Sequence, residues 1–233
     1  MTRKTQFLWL VFLTCTLFLA GCGRFGLGKK AKEPKGLQTT PTEQKKAKLL
    51  KKIDRKFENP QAHFELGQLY QRDGLWTQAE YEYNTALSFN PAHRQAQAAM
   101  VKVLIAGGDK TKADIYTDIY TNQVANSAAG SLQLGLAFQQ QGLDEQALAC
   151  YQQALRLAPN SAKINRQIGY YYLSKGNKIQ ARDYLSRSFQ LNSNQPEVAG
   201  ELGRLGVPIR IPRKTEKNVK KLDKIVDKAS KEK

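Results

Sequence analysis

Three cysteines, two histidines and one glycine-rich hexapeptide are the features of this 233-residue chain that could carry chemistry. The hexapeptide, Gly21-Cys22-Gly23-Arg24-Phe25-Gly26, spells G-x-G-x-x-G after an apolar run, and Glu43 stands about where an acidic ribose ligand would follow a dinucleotide-binding turn. Such a turn needs a strand before it and a helix after it, within a parallel sheet. Here GLGKKAKEPKG follows, with no apolar period and with Pro34 inside it, and no second strand pattern appears downstream. Cys15, Cys22 and Cys150 form no C-x-x-C pair, so neither a metal site nor a redox motif is indicated. His63 and His93 belong to no metal spacing and no readable Ser-His-Asp arrangement. Cys150, beside Tyr151, reads as a buried thiol. Asp144-Glu145 reads as a helix start, where acids complement the dipole. The expectation is a protein with no enzymatic site, no cofactor and no metal.

Cys22 has a different reading. MTRKTQ supplies two cations, and the 14 mostly apolar residues FLWLVFLTCTLFLA follow. This is the charged and apolar order of an export signal, and it is short for a membrane span, which wants about 20 apolar residues. Leu19-Ala20-Gly21-Cys22 resembles the lipobox of bacterial lipoproteins. The resemblance implies cleavage between Gly21 and Cys22, a diacylglycerol on the Cys22 thiol and acylation of the new amine. One acyl chain holds a protein marginally, whereas two or more hold it stably. A plain signal peptide or a short anchor is the alternative. Gly23, where enterobacterial lipoproteins retained at the inner membrane tend to carry Asp, favours the outer membrane facing the periplasm; the inner membrane and the cell surface stay open. Residues 1–21 are thus read as a lipoprotein signal peptide. Residues 22–59 are read as lipidated cysteine, basic tether and candidate amphipathic helix. The tether, 23–44, is rich in Gly, Pro, Thr and Lys and would reach about 25 Å on average.

The elements further along are set by a 34-residue period. Gly67, Gly135, Gly169 and Gly203 share one column, Gly74, Gly108, Gly142 and Gly176 a second, and Ala79, Ala113, Ala147 and Ala181 a third. Ala86 and Ala154 mark a fourth column, with Tyr120 and Ser188 as exceptions, and Pro91 and Pro159 recur two periods apart. In LGQLY and LGLAF a leucine and an aromatic residue stand four apart, on one helical face. The glycine beside that leucine lets a partner helix come close. The second glycine ends the helix, the alanines allow close packing of the next helix, and proline cannot continue it. The pattern resembles the tetratricopeptide repeat. That resemblance implies an all-α solenoid of antiparallel helix pairs, each burying its apolar face only by stacking on neighbours. Four repeats are read at 60–93, 94–127, 128–161 and 162–195, with 196–206 as a capping helix. The second repeat is degenerate: Val101 replaces the glycine, Tyr120 the alanine and Ala125 the closing proline.

In that family the first helices line a concave surface, and repeat positions 2, 5, 9 and 12 face the ligand. The resemblance therefore implies a groove of Gln61, Phe64, Gln68 and Gln71; Gln95, Ala98, Lys102 and Ile105; Ala129, Leu132, Leu136 and Gln139; and Lys163, Arg166, Tyr170 and Leu173. Amides and tyrosine suit an extended peptide, whose backbone they can bond without demanding a sequence. The competing reading is that they only solvate an exposed face. The Asn at position 9 of the carboxylate-clamp subtype is absent, so recognition of an acidic C-terminus is not expected.

The formal charge of +17 is uneven: residues 60–203 carry 12 cations and 12 anions, so the flanks hold the excess. In KKAKLLKKIDRKFE (45–58), Leu50, Ile53 and Phe57 step by three and four. In the tail 207–233, Val219, Leu222, Ile225, Val226 and Ala229 form a stripe on a basic segment. Such segments suit anionic lipid or an acidic partner; docking on the solenoid end with solvated lysines, or an unstructured tail, is the alternative. A neutral core and an exported chain argue against nucleic acid. The expected function is a lipid-anchored scaffold for protein–protein contacts in cell-envelope assembly. The chain looks like the repeat lipoproteins that pilot secretins for type IV pili, or those serving peptidoglycan or β-barrel assembly. An adaptor binding anionic lipid or an acidic polymer through the flanks is the alternative.

Overall fold

The computed structural model describes residues 40–208. The signal peptide, Gly21, Cys22, most of the tether and the basic tail beyond 208 lie outside the described residues. All regular structure among the described residues is α-helical: α1 Pro41–Arg55, α2 Pro60–Arg72, α3 Trp76–Phe89, α4 Arg94–Ala106, α5 Lys110–Gln123, α6 Ala128–Gln140, α7 Asp144–Leu157, α8 Ala162–Ser174, α9 Lys178–Leu191 and α10 Pro196–Arg204. From α2 to α9 they pack in consecutive pairs, and successive pairs stack into a solenoid, as the period predicts.

The period acts at the helix starts. Asn59, His93, Ser127 and Ser161, spaced by 34 residues, each precede a first helix, and each side chain accepts the backbone N–H three residues on. Such caps satisfy donors the helix cannot, typically for about 1 kcal/mol each. It acts again within the first helices. His63, Gln97, Ser131 and Asn165 are one period apart and buried. Each reaches back to a carbonyl in the preceding loop: Phe57 (2.9 Å), Pro91 (2.6 Å), Val124 (3.0 Å) and Pro159 (3.2 Å). This polar column locks each pair to the loop before it, since a buried carbonyl without a partner is costly.

The pairs close through glycine. A Cβ on Gly67 would lie 2.6 Å from the Tyr83 ring, one on Gly135 2.7 Å from the Tyr151 ring, and one on Gly169 2.6 Å from Leu185. Tyr83, Tyr151 and Leu185 are fully buried there, beside Ala79, Ala86, Ala147, Ala154 and Ala181. The turn between paired helices needs a left-handed residue, supplied for example by Gly74 at φ 74° and Gly142 at φ 71°; Gly108 and Gly176 adopt the same conformation. Gly203 departs from its column, because among the described residues no atom approaches within 4 Å of its Cβ position. Among the described residues no second helix crosses α10 there; Val198 and Leu202 bury its other face against Leu185.

The first flank differs from its sequence reading. α1 begins at Pro41, inside the segment read as tether, on a Thr40–Glu43 capping box. Its inward stripe is Leu49 and Ile53, packed on Ala62, Leu66 and Leu69, with the Lys46 ammonium 4.2 Å over the Tyr70 ring. Leu50 is exposed, and Phe57 lies past the helix end, edge-on to His63 and Phe89. Of the expected stripe of Leu50, Ile53 and Phe57, only Ile53 faces inward from the helix; Leu49 takes the place of Leu50, and Phe57 packs from beyond the helix end. Leu49 and Ile53 are four apart and face the solenoid, so α1 covers the apolar end of the stack.

In the degenerate second pair Val101 is fully buried where the other pairs have glycine, and Thr117 stands where they have Tyr83, Tyr151 and Leu185. Val101 supplies locally the volume that a crossing side chain supplies elsewhere. Tyr120 is buried in the alanine column. A cavity of about 970 Å³ lies between α5 and α7.

Candidate functional site: the face of the first helices

The first helices α2, α4 and α6 bring predicted groove residues together in two recesses. One, of about 280 Å³, is lined by Gln68, Gln71, Arg72, Trp76, Lys102 and Gln141. The other, of about 450 Å³, includes His93, Arg94, Gln95, Gln133, Leu136 and Gln140. Both present mainly amide groups and cations. Lys102 has no hydrogen-bond or ion-pair partner among the described residues, and its ammonium is available to a ligand.

Several predicted residues are committed elsewhere. Phe64 and Leu132 are each only 4% exposed and belong to the core, with the Phe64 ring 4.6 Å from that of His93 and 5.8 Å from that of Tyr83. Ala98 is likewise buried. Their side chains offer almost nothing to a ligand, because repeat position 5 faces the neighbouring pair here. Gln71 accepts the Tyr83 hydroxyl at 2.5 Å and donates to Gln141, 70 residues on, at 2.9 Å. Gln139 accepts the Tyr151 hydroxyl at 2.5 Å and Gln167 at 3.4 Å. Tyrosines crossing the glycine column thus anchor two groove amides from below. Burial pushes the Tyr83 and Tyr151 phenols above the ordinary tyrosine range, so both remain neutral donors.

Gln61 donates to Glu65 at 2.9 Å and stays exposed, as do Ala129 and Lys163. Arg166 reaches Gln195 at 3.5 Å, and Tyr170 and Leu173 pack against the α9–α10 cluster. The last helix therefore covers part of the groove predicted at the fourth pair. Ile105 lines the α5–α7 cavity. Sequence reasoning missed Gln133, Gln140, Gln141 and Trp76. The amides sit one or two positions from those the family pattern marks, where a coiling stack turns them toward the recess. Their signal was the glutamine density itself, unusual on helix faces that carry little charge.

The groups flagged for reactivity are structural. His63 Nδ1 meets Glu82 at 2.6 Å and Nε2 meets the Phe57 carbonyl at 2.9 Å, so both ring nitrogens are engaged within the fold. His93 is a cap, its Nδ1 accepting from Ala96. The Cys150 thiol is buried, which pushes its pKa up to about 12 and keeps it protonated. Among the described residues no group of three or more His, Cys, Asp or Glu is placed to hold a metal, and no helix is long and apolar enough to cross a membrane.

Residues 128–161, which form α6 and α7, match the tetratricopeptide repeat family. The chain is 28% identical over 153 residues to the type IV pilus assembly protein PilF of Pseudomonas aeruginosa, covering 62% of this chain and 58% of that protein. It is 26% identical over 149 residues to the human protein O-mannosyl-transferase TMTC1, covering 59% of this chain and 16% of that protein. The match thus spans less than two thirds of either relative. Similar solved structures include that of Pseudomonas aeruginosa PilF, at 26% identity and TM-score 0.37, covering 63% of this chain and 67% of that one. Another is YrrB, described as a TPR protein with an unusual peptide-binding site, at 17% identity and TM-score 0.37, covering 69% and 82%.

Proposed function

We propose that this protein is a lipid-anchored scaffold of the cell envelope that holds an extended segment of a partner protein along its first helices. The observation that carries the reading is the pair of recesses on that face. They present Gln68, Lys102 and Gln141 at one site and Gln95, Gln133 and Gln140 at the other. Amides pair with a peptide backbone in both directions, donating and accepting, and so hold an extended chain with little demand on its side chains. The lipid on Cys22 would fix location and the following residues would give reach. The similarity to PilF favours pilus assembly among envelope processes.

Two measurements test this. Mass spectrometry of the mature protein should find Cys22 at the N-terminus and acylated; an unmodified Cys22 would refute the anchor. A photo-crosslinking residue at Gln68 or Gln133 should capture one discrete partner in living cells, and Lys102→Glu with Gln141→Glu should abolish capture. Capture that survives this double substitution would refute the groove.

A second reading has its own observation. Lys45, Lys48, Lys51, Lys52, Arg55 and Lys56 are exposed on or just after α1, and none has an ion-pair partner among the described residues. With the opposite face of α1 docked on the solenoid, this surface suits anionic lipid at roughly 1 kcal/mol per cation near the membrane. Loss of anionic-vesicle binding on charge reversal at Lys48, Lys51 and Arg55 would support it. Unchanged binding would count against it.

A further inference from the structure

Between α5 and α7 the solenoid is open. The cavity of about 970 Å³ has an apolar floor of Val124, Leu143, Ala149 and Cys150. Its rim is acidic. Asp114, Asp118, Asp144 and Glu145 line it against two cations, Lys110 and Arg156. Both cations are engaged, Lys110 with Asp114 at 3.2 Å and Arg156 with Gln153 at 3.2 Å. Asp118 and Glu145 have no ion pair among the described residues; Asp144 pairs with Lys175 through Oδ2 at 2.7 Å, while its Oδ1 is buried without a hydrogen-bond partner. A site of this kind takes apolar side chains into its floor and cations at its edge.

We infer that the basic tail of this chain occupies the cleft, seating Val219, Leu222, Ile225 and Val226 on its floor and tail lysines against Asp118 and Glu145. Three observations favour this occupant. The tail carries apolar residues at helical spacing with Lys220, Lys221, Lys224 and Lys228 between them, which complements floor and rim together. The tail also reaches: eleven residue-to-residue steps lead from Pro208 to Val219. At about 3.3–3.6 Å per residue they span up to roughly 36–40 Å. Three interhelical steps from α10 back to α7, at about 8–10 Å each, need roughly 24–30 Å. Finally, the nearer face of α10 presents Gly200 and Gly203, whose Cβ positions have no atom within 4 Å among the described residues, so this face offers no side chains at those two positions to seat an added segment. The cleft lies beside the degenerate second pair, whose α5 residues Asp114, Thr117, Asp118 and Thr121 form one wall.

The test is zero-length carbodiimide coupling on the full chain, using a mixture of unlabelled and ¹⁵N-labelled protein, with peptide mass spectrometry. Tail lysines should couple to Asp118 and Glu145 within one chain. Leu222→Asp with Ile225→Asp, which keeps every lysine, should lower that yield by about tenfold or more, as expected for loss of two buried apolar contacts. Ala149→Trp, at an exposed position that fills the cleft, should lower it too. The inference is overturned if tail lysines couple to Glu197 and Glu201 instead, if the links join labelled to unlabelled chains, if no links to the rim form, or if both variants leave the yield unchanged.

Discussion

The second and third helix pairs do the same job with different parts. In the third, Gly135 lets the Tyr151 ring cross at contact distance, and the Tyr151 hydroxyl goes on to hold Gln139 in the groove. In the second, Val101 fills the crossing, Thr117 replaces the ring, and the Thr117 hydroxyl turns back to Ala113 at 2.8 Å. The apolar volume at the crossing has moved from the second helix to the first. The third pair thereby links its core to its groove, whereas the second has a filled crossing, no crossing tyrosine and a cavity beside α5. Glycine and the side chain that crosses it therefore act as one unit, and neither column has meaning alone.

Breaking that unit should give the largest effect. Tyr151→Thr removes a fully buried ring from beneath Gly135 and should cost about 3–5 kcal/mol of stability, read by urea denaturation. Gly135→Val forces a side chain into Tyr151 and Cys150 and should cost about 1–3 kcal/mol. Combining the two rebuilds the arrangement of the second pair. The double variant should be more stable than the sum of the single losses predicts, by about 0.5–3 kcal/mol; strict additivity would show that the exchange is not a unit. The polar column sharpens the comparison from outside the crossing. Asn165→Leu leaves the Pro159 carbonyl without its 3.2 Å partner and should cost about 1–3 kcal/mol.

The smallest effect distinguishes the caps. The third pair is capped by Ser127, which does not titrate near neutrality, and the second by His93, which does. Burial, outweighing a backbone hydrogen bond, holds the His93 pKa below its ordinary value. The unfolded chain then binds the proton more readily than the fold. Stability from this group is present above the ordinary value near 6.5 and is lost as pH falls through it toward the lower folded value. The melting temperature should drop between pH 7.5 and 5.5, and His93→Ser should remove part of that drop. A variant whose pH dependence matches the parent would dismiss the cap as its source.

How much of this was legible varied with the kind of constraint. The fold was, because a 34-residue recurrence of glycine and alanine is a statement about close approach that few other architectures require. The caps and the polar column lay in the same period, but Asn59, His93, Ser127 and Ser161 differ in type, as do His63, Gln97, Ser131 and Asn165. Equivalence of role showed only once each cap was seen accepting the N–H three residues on and each column residue reaching a carbonyl six or seven residues back. The groove was half legible. Gln68, Lys102 and Leu136 line its recesses, while Phe64 and Leu132 fell to the core and Tyr170 and Leu173 to α10.

Local spacing by itself determined where helices start, turn and end, since caps, left-handed glycines and prolines act within a few residues. It determined that the helices must stack, since no single pair can bury its apolar face. Only the tertiary structure decided which polar residues remain free and where the stack stays open. An amide at a groove position is available only if no tyrosine from the next helix claims it, and the cleft is walled jointly by α5 and α7. Both depend on contacts between residues a dozen to seventy positions apart, which no local pattern encodes.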